Sequence, residues 1–401
     1  MADNKQQAAV ERMQAVRNQL TANLFDRAEE ANGLSVAFVA QTHALLLGPP
    51  GSAKSLVARM FADATMPADS NGGYFQCLLG AFTTPDEVFG PYNLPMLEQG
   101  KYERCIDGYL PTANQAYLDE IFNANQSLLT TFNTVLEERQ YDHGTQRVSV
   151  PLRMAVGAAN RYPEGDMAME ALYDRFLVRH WVRWVEDEDE FVALLSPSYE
   201  PQALTANLEP GDADLLIAAR KAVDVPDSLI RHIAAFKRDL AADGIECSTR
   251  RWKASIKLIQ AQAVLNGNAV AQPRDCMILA ESLWDKHEQR PAIYSLLCKH
   301  FAPSLGLAQA TVDALIQAYR ACDLESMECG PRGKLQDELR KGMKQLLAAG
   351  GQNVVDITDE LEVMQAVAEI TDADLLEALR TIQGLHDNVA RAQALGFQVA
   401  G

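Results

Sequence analysis

The stretch Gly48-Pro49-Pro50-Gly51-Ser52-Ala53-Lys54-Ser55 decides how this chain folds. It follows the apolar run of residues 44–47 and precedes residues 56–61, which have a helical pattern. A loop between a buried strand and a helix directs backbone N–H groups and the positive end of the helix toward phosphate groups. In such a P-loop, Lys54 would contact the terminal phosphates of a nucleotide and the Ser55 hydroxyl would coordinate Mg²⁺. The sequence therefore predicts a nucleotide site with Mg²⁺.

One position departs from the usual P-loop pattern. Ala53 stands where the last glycine is normally found. Alanine is the smallest replacement for glycine, so we expect the loop to close, provided that position 53 has a negative φ.

The composition indicates a globular protein of two or three domains. The 401 residues are 48% hydrophobic and 22% charged, with a formal net charge of −18. This acidic balance argues against a nucleic-acid partner, because phosphate contacts normally require a basic surface. No apolar segment reaches membrane-spanning length, and the first thirty residues lack the apolar core of a signal peptide. Seven scattered cysteines fit reduced thiols, so we expect a cytoplasmic location.

Short apolar strands alternate with helical segments in the first half of the chain. Residues 116–118, 152–158 and 176–182 are the predicted strands that follow the one at 44–47. This alternation predicts an α/β domain with a largely parallel, buried sheet. Before it, an apolar stripe predicts one amphipathic helix within residues 5–30.

The pattern becomes almost entirely helical after the acidic run at residues 186–190. We therefore predict three domains: the α/β domain at 1–190, a helical lid at 191–300 and a helical extension at 301–401. Ser248 is a suitable N-cap for the second of two predicted lid helices, and Pro273 precedes another. The predicted helices are Asp227–Ala242, Thr249–Leu265, a segment from Pro273 through Trp284, and residues 309–322, 333–349 and 373–395.

Two adjacent carboxylates, Asp119 and Glu120, end the second predicted strand. ATP hydrolysis needs one group that holds the Mg²⁺ shell and another that polarises the attacking water. Asp119 suits the first task and Glu120 the second. Two acids at an exposed strand end are also common without any function, and their spacing from the P-loop favours the functional interpretation.

Three further residues have both a functional and a structural interpretation. Asn160 follows the third predicted strand, so it could position water or sense the γ-phosphate, or only terminate the strand. Arg175 precedes the last strand and could equally be a solvated charge or an ion-pair partner of Asp174. Arg250 lies at the start of a lid helix, where a solvated charge is the default.

The whole pattern resembles an AAA+ ATPase of the MoxR branch, most closely its RavA-like members. The resemblance covers roughly residues 10–285 and rests on motifs in the family order: G-P-P-G-S-A-K-S, F-T-T-P-D-E-V-F-G-P, Y-E-R, G-Y-L-P, Y-L-D-E-I, L-E-E-R-Q, A-A-N, L-Y-D-R-F and S-T-R-R-W. It implies that residues 82–111 form a helix-2 insert and residues 141–151 a hairpin before the third strand.

The resemblance also assigns roles to the candidate residues. Gly48 to Ser55 match Walker A, Asp119 and Glu120 match Walker B, and Asn160 matches sensor 1. Arg175 matches the arginine finger, which acts on the nucleotide of a neighbouring subunit, and Arg250 matches sensor 2.

The family further implies ATP and Mg²⁺ as cofactors, a homo-oligomeric ring, expected to be a hexamer, and a chaperone-like role. Its implied partner contains a von Willebrand factor A (vWA) domain. The resemblance weakens after residue 300, where RavA-like relatives carry a small β-rich insertion and this sequence shows none. Two alternatives remain at this stage: an ATP-gated scaffold with little turnover, and a nucleic-acid motor.

Overall fold

The computed structural model describes residues 2–66, 73–163, 167–197, 199–320, 329–350 and 375–386, with the single positions 352, 367 and 370. Its Cα positions divide the chain into two compact units, Met1–Ile293 and Tyr294–Gly401. The strands are β1 His43–Leu47, β2 Tyr74–Leu78, β3 Gln115–Asp119, β4 Gln140–His143, β5 Gln146–Ser149, β6 Met154–Ala159 and β7 Phe176–Trp181.

The helices complete the element order. They are α1 Ala2–Asn23, α2 Ala28–Ala40, α3 Lys54–Thr65, α4 Pro85–Phe89, α5 Leu94–Leu97, α6 Gln126–Glu138, α7 Met167–Tyr173, α8 Glu188–Leu194, α9 Asp212–Ala222, α10 Asp227–Ala242, α11 Thr249–Leu265, α12 Arg290–Phe301, α13 Pro303–Arg320 and α14 Cys329–Ala349. Short 3-10 helices cover Leu110–Thr112, Ile121–Asn123, Pro273–Glu281 and His287–Gln289.

The first unit is built on a parallel sheet. Within the described residues, five strands pair in the order β2-β3-β6-β1-β7, and every pairing is parallel. All five residues of β1 are buried between β6 and β7. Strands that are covered on both faces consist of continuous apolar residues, so the apolar runs in the sequence predicted them. The predicted α/β fold is confirmed, and β6 begins two residues later than predicted.

The sequence analysis missed β2, which lies at the edge of this sheet. Gln76 and Leu78 of this strand are exposed, so the strand has no continuous apolar run that would have marked it. The predicted hairpin is present, because β4 and β5 pair in antiparallel fashion.

The prediction of one helix within residues 5–30 is wrong in its second half. The helix α1 ends at Asn23 and α2 begins at Ala28, with Asp26 between them at a φ of 52°. A left-handed residue ends a regular helix, since only isolated residues adopt that conformation. The apolar stripe continues past the end of α1, since Leu20 within the helix and Leu24 just after it are both buried.

The helical half of the first unit matches its prediction closely. Both α10 and α11 have the predicted bounds, and the Ser248 side chain accepts a hydrogen bond from the Arg251 N–H at 3.1 Å, as an N-cap does. The segment after Pro273 is a 3-10 helix rather than an α-helix, and it ends at Glu281.

The described part of the second unit consists of helices. Leu339 and Leu346 of α14 pack with Leu379 and Ile382 in a buried cluster, and residues 375–386 are helical. The helical extension is confirmed for the described residues, whereas residues 321–322, 373–374 and 387–395 of the predicted helices lie outside them. Residues 190 and 191 belong to the same compact unit, so the domain boundary between them stays a prediction.

None of the helices in the described ranges combines the length and apolar character needed to cross a lipid bilayer. The cysteines whose side chains are described (77, 105, 247, 276 and 298) are free thiols.

A close contact between α2 and β7 gives a test of this packing. A Cβ atom added to Gly33 would lie 1.9 Å from Nε2 of His180, whose ring is buried. His180 has little room to move, because its Nδ1 lies 3.3 Å from Glu281 on the other side. Burial lowers the pKa of His180 to about 4, so the ring is neutral at pH 7.

We expect Gly33→Ala to lower the free energy of unfolding by roughly 1–3 kcal/mol, because it overpacks the contact with His180. Gly73→Ala is the matched control in the same unit, since a Cβ atom added to Gly73 would meet no other part of the chain within 4 Å. Urea unfolding at neutral pH measures both. Equal stability of the two variants would contradict the packing of α2 on β7.

Candidate nucleotide site

The P-loop connects the inner strand β1 to α3 at the carboxyl edge of the sheet. The Gly48 N–H donates to the carbonyl of Ala159 at the end of β6, at 3.1 Å. A Cβ atom at Gly48 would lie 2.2 Å from the carbonyl oxygen of Val182, so no larger residue fits there. The first residue of the loop is thus held between the ends of the two strands that flank β1.

Ala53 closes the loop in a conformation that the sequence analysis did not expect. Its φ is 63°, so the condition of a negative φ is wrong. An alanine in the left-handed region costs roughly 1–2 kcal/mol, because its Cβ approaches the following carbonyl oxygen. The loop therefore closes at the expense of local strain, immediately before Lys54 begins α3.

The Lys54 ammonium lies inside the loop and is buried. Its Nζ donates to the carbonyl oxygens of Gly48 and Pro49 at 2.7 and 2.8 Å, and to Oδ1 of Asn160 at 3.0 Å. Burial lowers the pKa of Lys54, and the nearby carboxylates of Asp119 and Glu120 act in the opposite direction. Carbonyl oxygens of the loop and Asn160 therefore hold this ammonium within the loop.

The two predicted acids lie at the end of β3. The Glu120 N–H donates to Oδ1 of Asp119 at 3.0 Å, and Asn123 Nδ2 donates to Oε2 of Glu120 at 3.3 Å. Glu120 itself has a φ of 51°, a left-handed conformation that is costly for a residue other than glycine. The backbone turns sharply at this residue, and two hydrogen bonds hold its carboxylate and N–H.

Asn160 joins the lysine to the second acid. While its Oδ1 accepts from Lys54, its Nδ2 donates to Oε1 of Glu120. Asn160 and Glu120 follow the ends of β6 and β3, and Lys54 begins α3 after the loop that follows β1, the strand beside β6. The structure thus brings Lys54, Asn160 and Glu120 into one hydrogen-bonded chain.

Ser55 and Asp119, the two candidate Mg²⁺ ligands, share a neighbour. Burial and the Asp119 carboxylate raise the pKa of the buried Tyr117, whereas the Ser55 side chain lowers it. Both candidate ligands therefore lie near the same tyrosine.

Arg175 and Arg250 lie away from this chain of hydrogen bonds. Arg175 donates to the carbonyl of Ala171 and to Oε2 of Glu137, the latter at 2.9 Å. Nη2 of Arg250 lies 2.7 Å from Oε1 of the same glutamate. Among the described contacts, neither arginine reaches the P-loop of its own chain.

Comparison with known proteins agrees with this geometry. A family profile described as the MoxR domain in the MoxR-vWA-beta-propeller ternary systems matches residues 11–210, and an AAA lid domain profile matches residues 228–297. Two uncharacterized proteins of Methanocaldococcus jannaschii are similar. MJ0079 is 35% identical over 68% of this chain and 70% of its own length, and MJ0812 is 31% identical over 79% and 84%. The chain belongs to the MoxR family of AAA+ ATPases.

A solved structure supports the fold of this MoxR protein. The crystal structure of an inferred ATPase from Cytophaga hutchinsonii matches with a TM-score of 0.58 and 18% identity, over 74% of this chain and 97% of that one. At this identity the likeness shows the fold alone. None of the matched families is specific to the RavA-like subgroup, so that finer assignment stays a prediction.

Sequence reasoning missed two residues that support the P-loop of this MoxR protein. The buried Arg27 donates through Nη2 to the carbonyls of Ser52 at 3.2 Å and Arg183 at 2.6 Å. The Trp184 indole N–H donates to the carbonyl of Pro50 at 3.2 Å. The role of Arg27 was not predicted because the apolar stripe indicates a continuous helix around it. The sequence around Trp184 contains no pattern that predicts contact with the P-loop.

The left-handed alanine predicts how the loop responds to substitution. We expect Ala53→Val to destabilise the protein by at least about 1 kcal/mol, because a β-branched residue is a severe outlier at positive φ. Ala53→Gly removes the strain and should leave stability equal to wild type or higher. Urea unfolding compares the three proteins, and an Ala53→Val protein as stable as Ala53→Gly would rule out the left-handed conformation.

Proposed function

We propose that this MoxR protein is a Mg²⁺-dependent ATP hydrolase that forms a ring, most simply a hexamer, and remodels a protein partner in a chaperone-like role. The observation that carries the proposal is the hydrogen-bonded chain of Lys54, Asn160 and Glu120 beside the P-loop. It supports the proposal because it links a lysine and a carboxylate through a polar amide at one edge of the sheet, where they could act as the phosphate-binding cation and the general base.

ATP binding would use the loop from Gly48 to Ser55. The helix α3 begins at Lys54, so its N-terminal N–H groups and the positive end of its dipole favour an anion at the loop. The Lys54 ammonium, now bonded to carbonyl oxygens of the same loop, would exchange these acceptors for phosphate oxygens, which form stronger charge-assisted hydrogen bonds.

The side chains present fit Mg²⁺ held together with the nucleotide. Ser55 and Asp119 offer oxygen ligands and both lie near Tyr117, and Mg²⁺ in nucleotide sites takes one or two protein ligands beside phosphates and water. In the described part of the chain no cluster of three or more His, Cys, Asp or Glu could hold a metal independently. When bound, Mg²⁺ would supply neutralisation of negative charge on the phosphates.

Hydrolysis would rest on Glu120 and Asn160. The Glu120 carboxylate would accept a proton from the attacking water, as a general base does. Asn160 donates to one oxygen of this carboxylate and thereby fixes its orientation. The left-handed backbone at Glu120 is the kind of strain that persists at functional sites.

The neighbouring subunit of the ring would contribute Arg175 as an arginine finger. Within one chain Arg175 bonds to Glu137 and Ala171 rather than to the nucleotide loop, which supports a role in trans. Arginine fingers stabilise charge that develops on the transferred phosphoryl group. Arg250, which matches sensor 2, would act as a nucleotide sensor from the lid.

A vWA-domain protein is the partner that we propose. The matching family profile is described by systems that combine a MoxR protein with vWA and β-propeller proteins. The insert after β2 exposes large apolar side chains, including Phe82 at 96% and Leu94 and Tyr102 at 68% each, which suits contact with a protein. We further propose that the protein is RavA-like and cytoplasmic.

Lys54 and Glu120 should separate binding from hydrolysis. We expect Lys54→Ala to abolish or greatly weaken ATP binding, because it removes the cation of the loop. Glu120→Gln should bind ATP and lose roughly 10²–10⁴-fold in turnover, since an amide cannot act as the base. Calorimetric titration with ATP and a steady-state phosphate assay measure both, with Lys237→Ala on the exposed face of α10 as the control. Wild-type affinity in Lys54→Ala, or wild-type turnover in Glu120→Gln, would contradict the assignments.

Arg175 tests the ring. We expect Arg175→Ala to bind ATP normally and to hydrolyse it roughly 10³-fold more slowly, the scale on which arginine fingers act. Mixing it with Lys54→Ala should restore part of the activity, because an intact loop of one variant then faces an intact arginine of the other. Full hydrolysis by Arg175→Ala alone would eliminate it as the finger.

A further inference from the structure

One carboxylate, that of Glu137, contacts both arginines. Its Oε2 accepts from Arg175 at 2.9 Å and its Oε1 lies 2.7 Å from Nη2 of Arg250. Glu137 lies in the last turn of α6, Arg175 between α7 and β7, and Arg250 in the first turn of α11. Three segments that are distant in the sequence therefore meet in one ion-paired group.

This group lies far from the P-loop of its own chain. The carbonyl of Leu136, which precedes Glu137, is 2.8 Å from Nε2 of His43, and Phe176, which follows Arg175, pairs with His43. His43 begins the five-residue strand β1, whose other end leads into the P-loop. The four residue steps along β1 cover roughly 13 Å. The ion-paired group beside His43 is therefore separated from the P-loop by more than the length of an arginine side chain.

A second ion pair keeps the two arginines together. Asp174 accepts a hydrogen bond from Nη2 of Arg251 at 2.9 Å, and Arg251 is buried. These two residues are the sequence neighbours of Arg175 and Arg250, so their contact fixes the two backbones beside each other. Without the Glu137 carboxylate, two like charges would lie close together with no acidic partner among the described residues.

The exposure of the group also suits an external anion. The Arg175, Glu137 and Arg250 side chains are 15%, 41% and 47% exposed. An arginine has five N–H donors, and the hydrogen bonds of Arg175 to Ala171 and Glu137 leave others for a second partner. Two guanidiniums and one carboxylate keep a net positive charge on this surface.

We propose that Glu137 is a positioning residue that aligns Arg175 and Arg250 as one pair, and that the pair binds the terminal phosphate of ATP held by a neighbouring subunit. This inference rests on the proposed function and deepens it. Arg250 then acts with the finger on the neighbour's nucleotide rather than on the nucleotide of its own chain. Donors aligned in advance need no reorganisation as charge develops, which is why their alignment affects the rate.

Glu137→Gln is the central test. We expect kcat to fall roughly 10–100-fold, as misplaced catalytic groups do, while the Kd for ATP stays at the wild-type value because the P-loop is intact. Glu138→Gln is the matched control, since Glu138 is the next residue and forms only an exposed ion pair with Arg147 at 3.3 Å. Turnover of Glu137→Gln at or above the wild-type rate would overturn the proposal.

A second comparison separates positioning from a general structural role. Arg250→Ala should resemble Arg175→Ala, with ATP bound and kcat lowered, whereas loss of ATP affinity would place Arg250 on its own nucleotide. In an Arg175→Ala/Arg250→Ala background, adding Glu137→Gln should cause no further loss of kcat, because residues that act through one another are not additive. A further loss there would show that Glu137 acts independently of the arginines.

A self-association assay keeps this inference apart from the proposed hydrolysis. If the wild type binds ATP without turnover, the hydrolase proposal fails, and sedimentation velocity with ATP then decides the role of Glu137. We expect Glu137→Gln to associate more weakly than Glu138→Gln at the same ATP saturation. Equal association of the two variants would overturn the positioning role.

Discussion

The buried ammonium of Lys54 is the charge on which the nucleotide site depends. A charge without water must be matched by acceptors, and the P-loop carbonyls together with Asn160 provide them. Asn160 can do so only because β6 lies directly beside β1, and Glu120 can join only because β3 lies beside β6. The order of the strands is therefore what turns three separate sequence motifs into one site. The same order puts a lysine and a carboxylate on either side of an amide that contacts both.

Two strained residues flank this chain of hydrogen bonds. Ala53 and Glu120 are both left-handed, and each such residue costs of order 1–3 kcal/mol. The cost is concentrated where the backbone must reverse direction at the carboxyl ends of β1 and β3. The strand β1 that precedes the loop is fully buried, and Arg27 donates a hydrogen bond to the Ser52 carbonyl of the loop. Packing elsewhere in the first unit thus offsets a conformation that a free peptide would avoid.

The sequence was sufficient to predict the buried strands, the start of α11 and the edge of the sheet at which the site lies. Continuous apolar runs revealed the buried strands, and Ser248 marked the start of α11. Because parallel strands end at one edge, Lys54 and Asn160 could be expected to meet there. The φ of Ala53 could not be foreseen, since alanine normally avoids that region. The edge strand β2 is partly exposed, so its sequence has no continuous apolar run. The break before α2 depends on one left-handed residue, which does not change the apolar pattern.

The contact of Glu137 with two arginines was beyond sequence reasoning because it depends on where α11 packs. That packing involves two buried guanidiniums: Arg251 bonds to Asp174 and Asp285, and Arg179 also bonds to Asp285. If Asp285 is removed, Arg251 keeps Asp174 and Arg179 keeps backbone carbonyls, so the loss of this acid weakens the inner group without leaving a guanidinium unpaired. The pair of Glu137 with Arg250 lies outside it and is solvated, so it is worth roughly 1 kcal/mol or less. The contact of α11 with the rest of the unit therefore has two parts. The inner ion pairs of Arg251 set the position of α11, and the outer carboxylate of Glu137 can be replaced by another anion. An arginine pair that responds to a phosphate needs both properties, because it must be held in place and yet remain free to change partner.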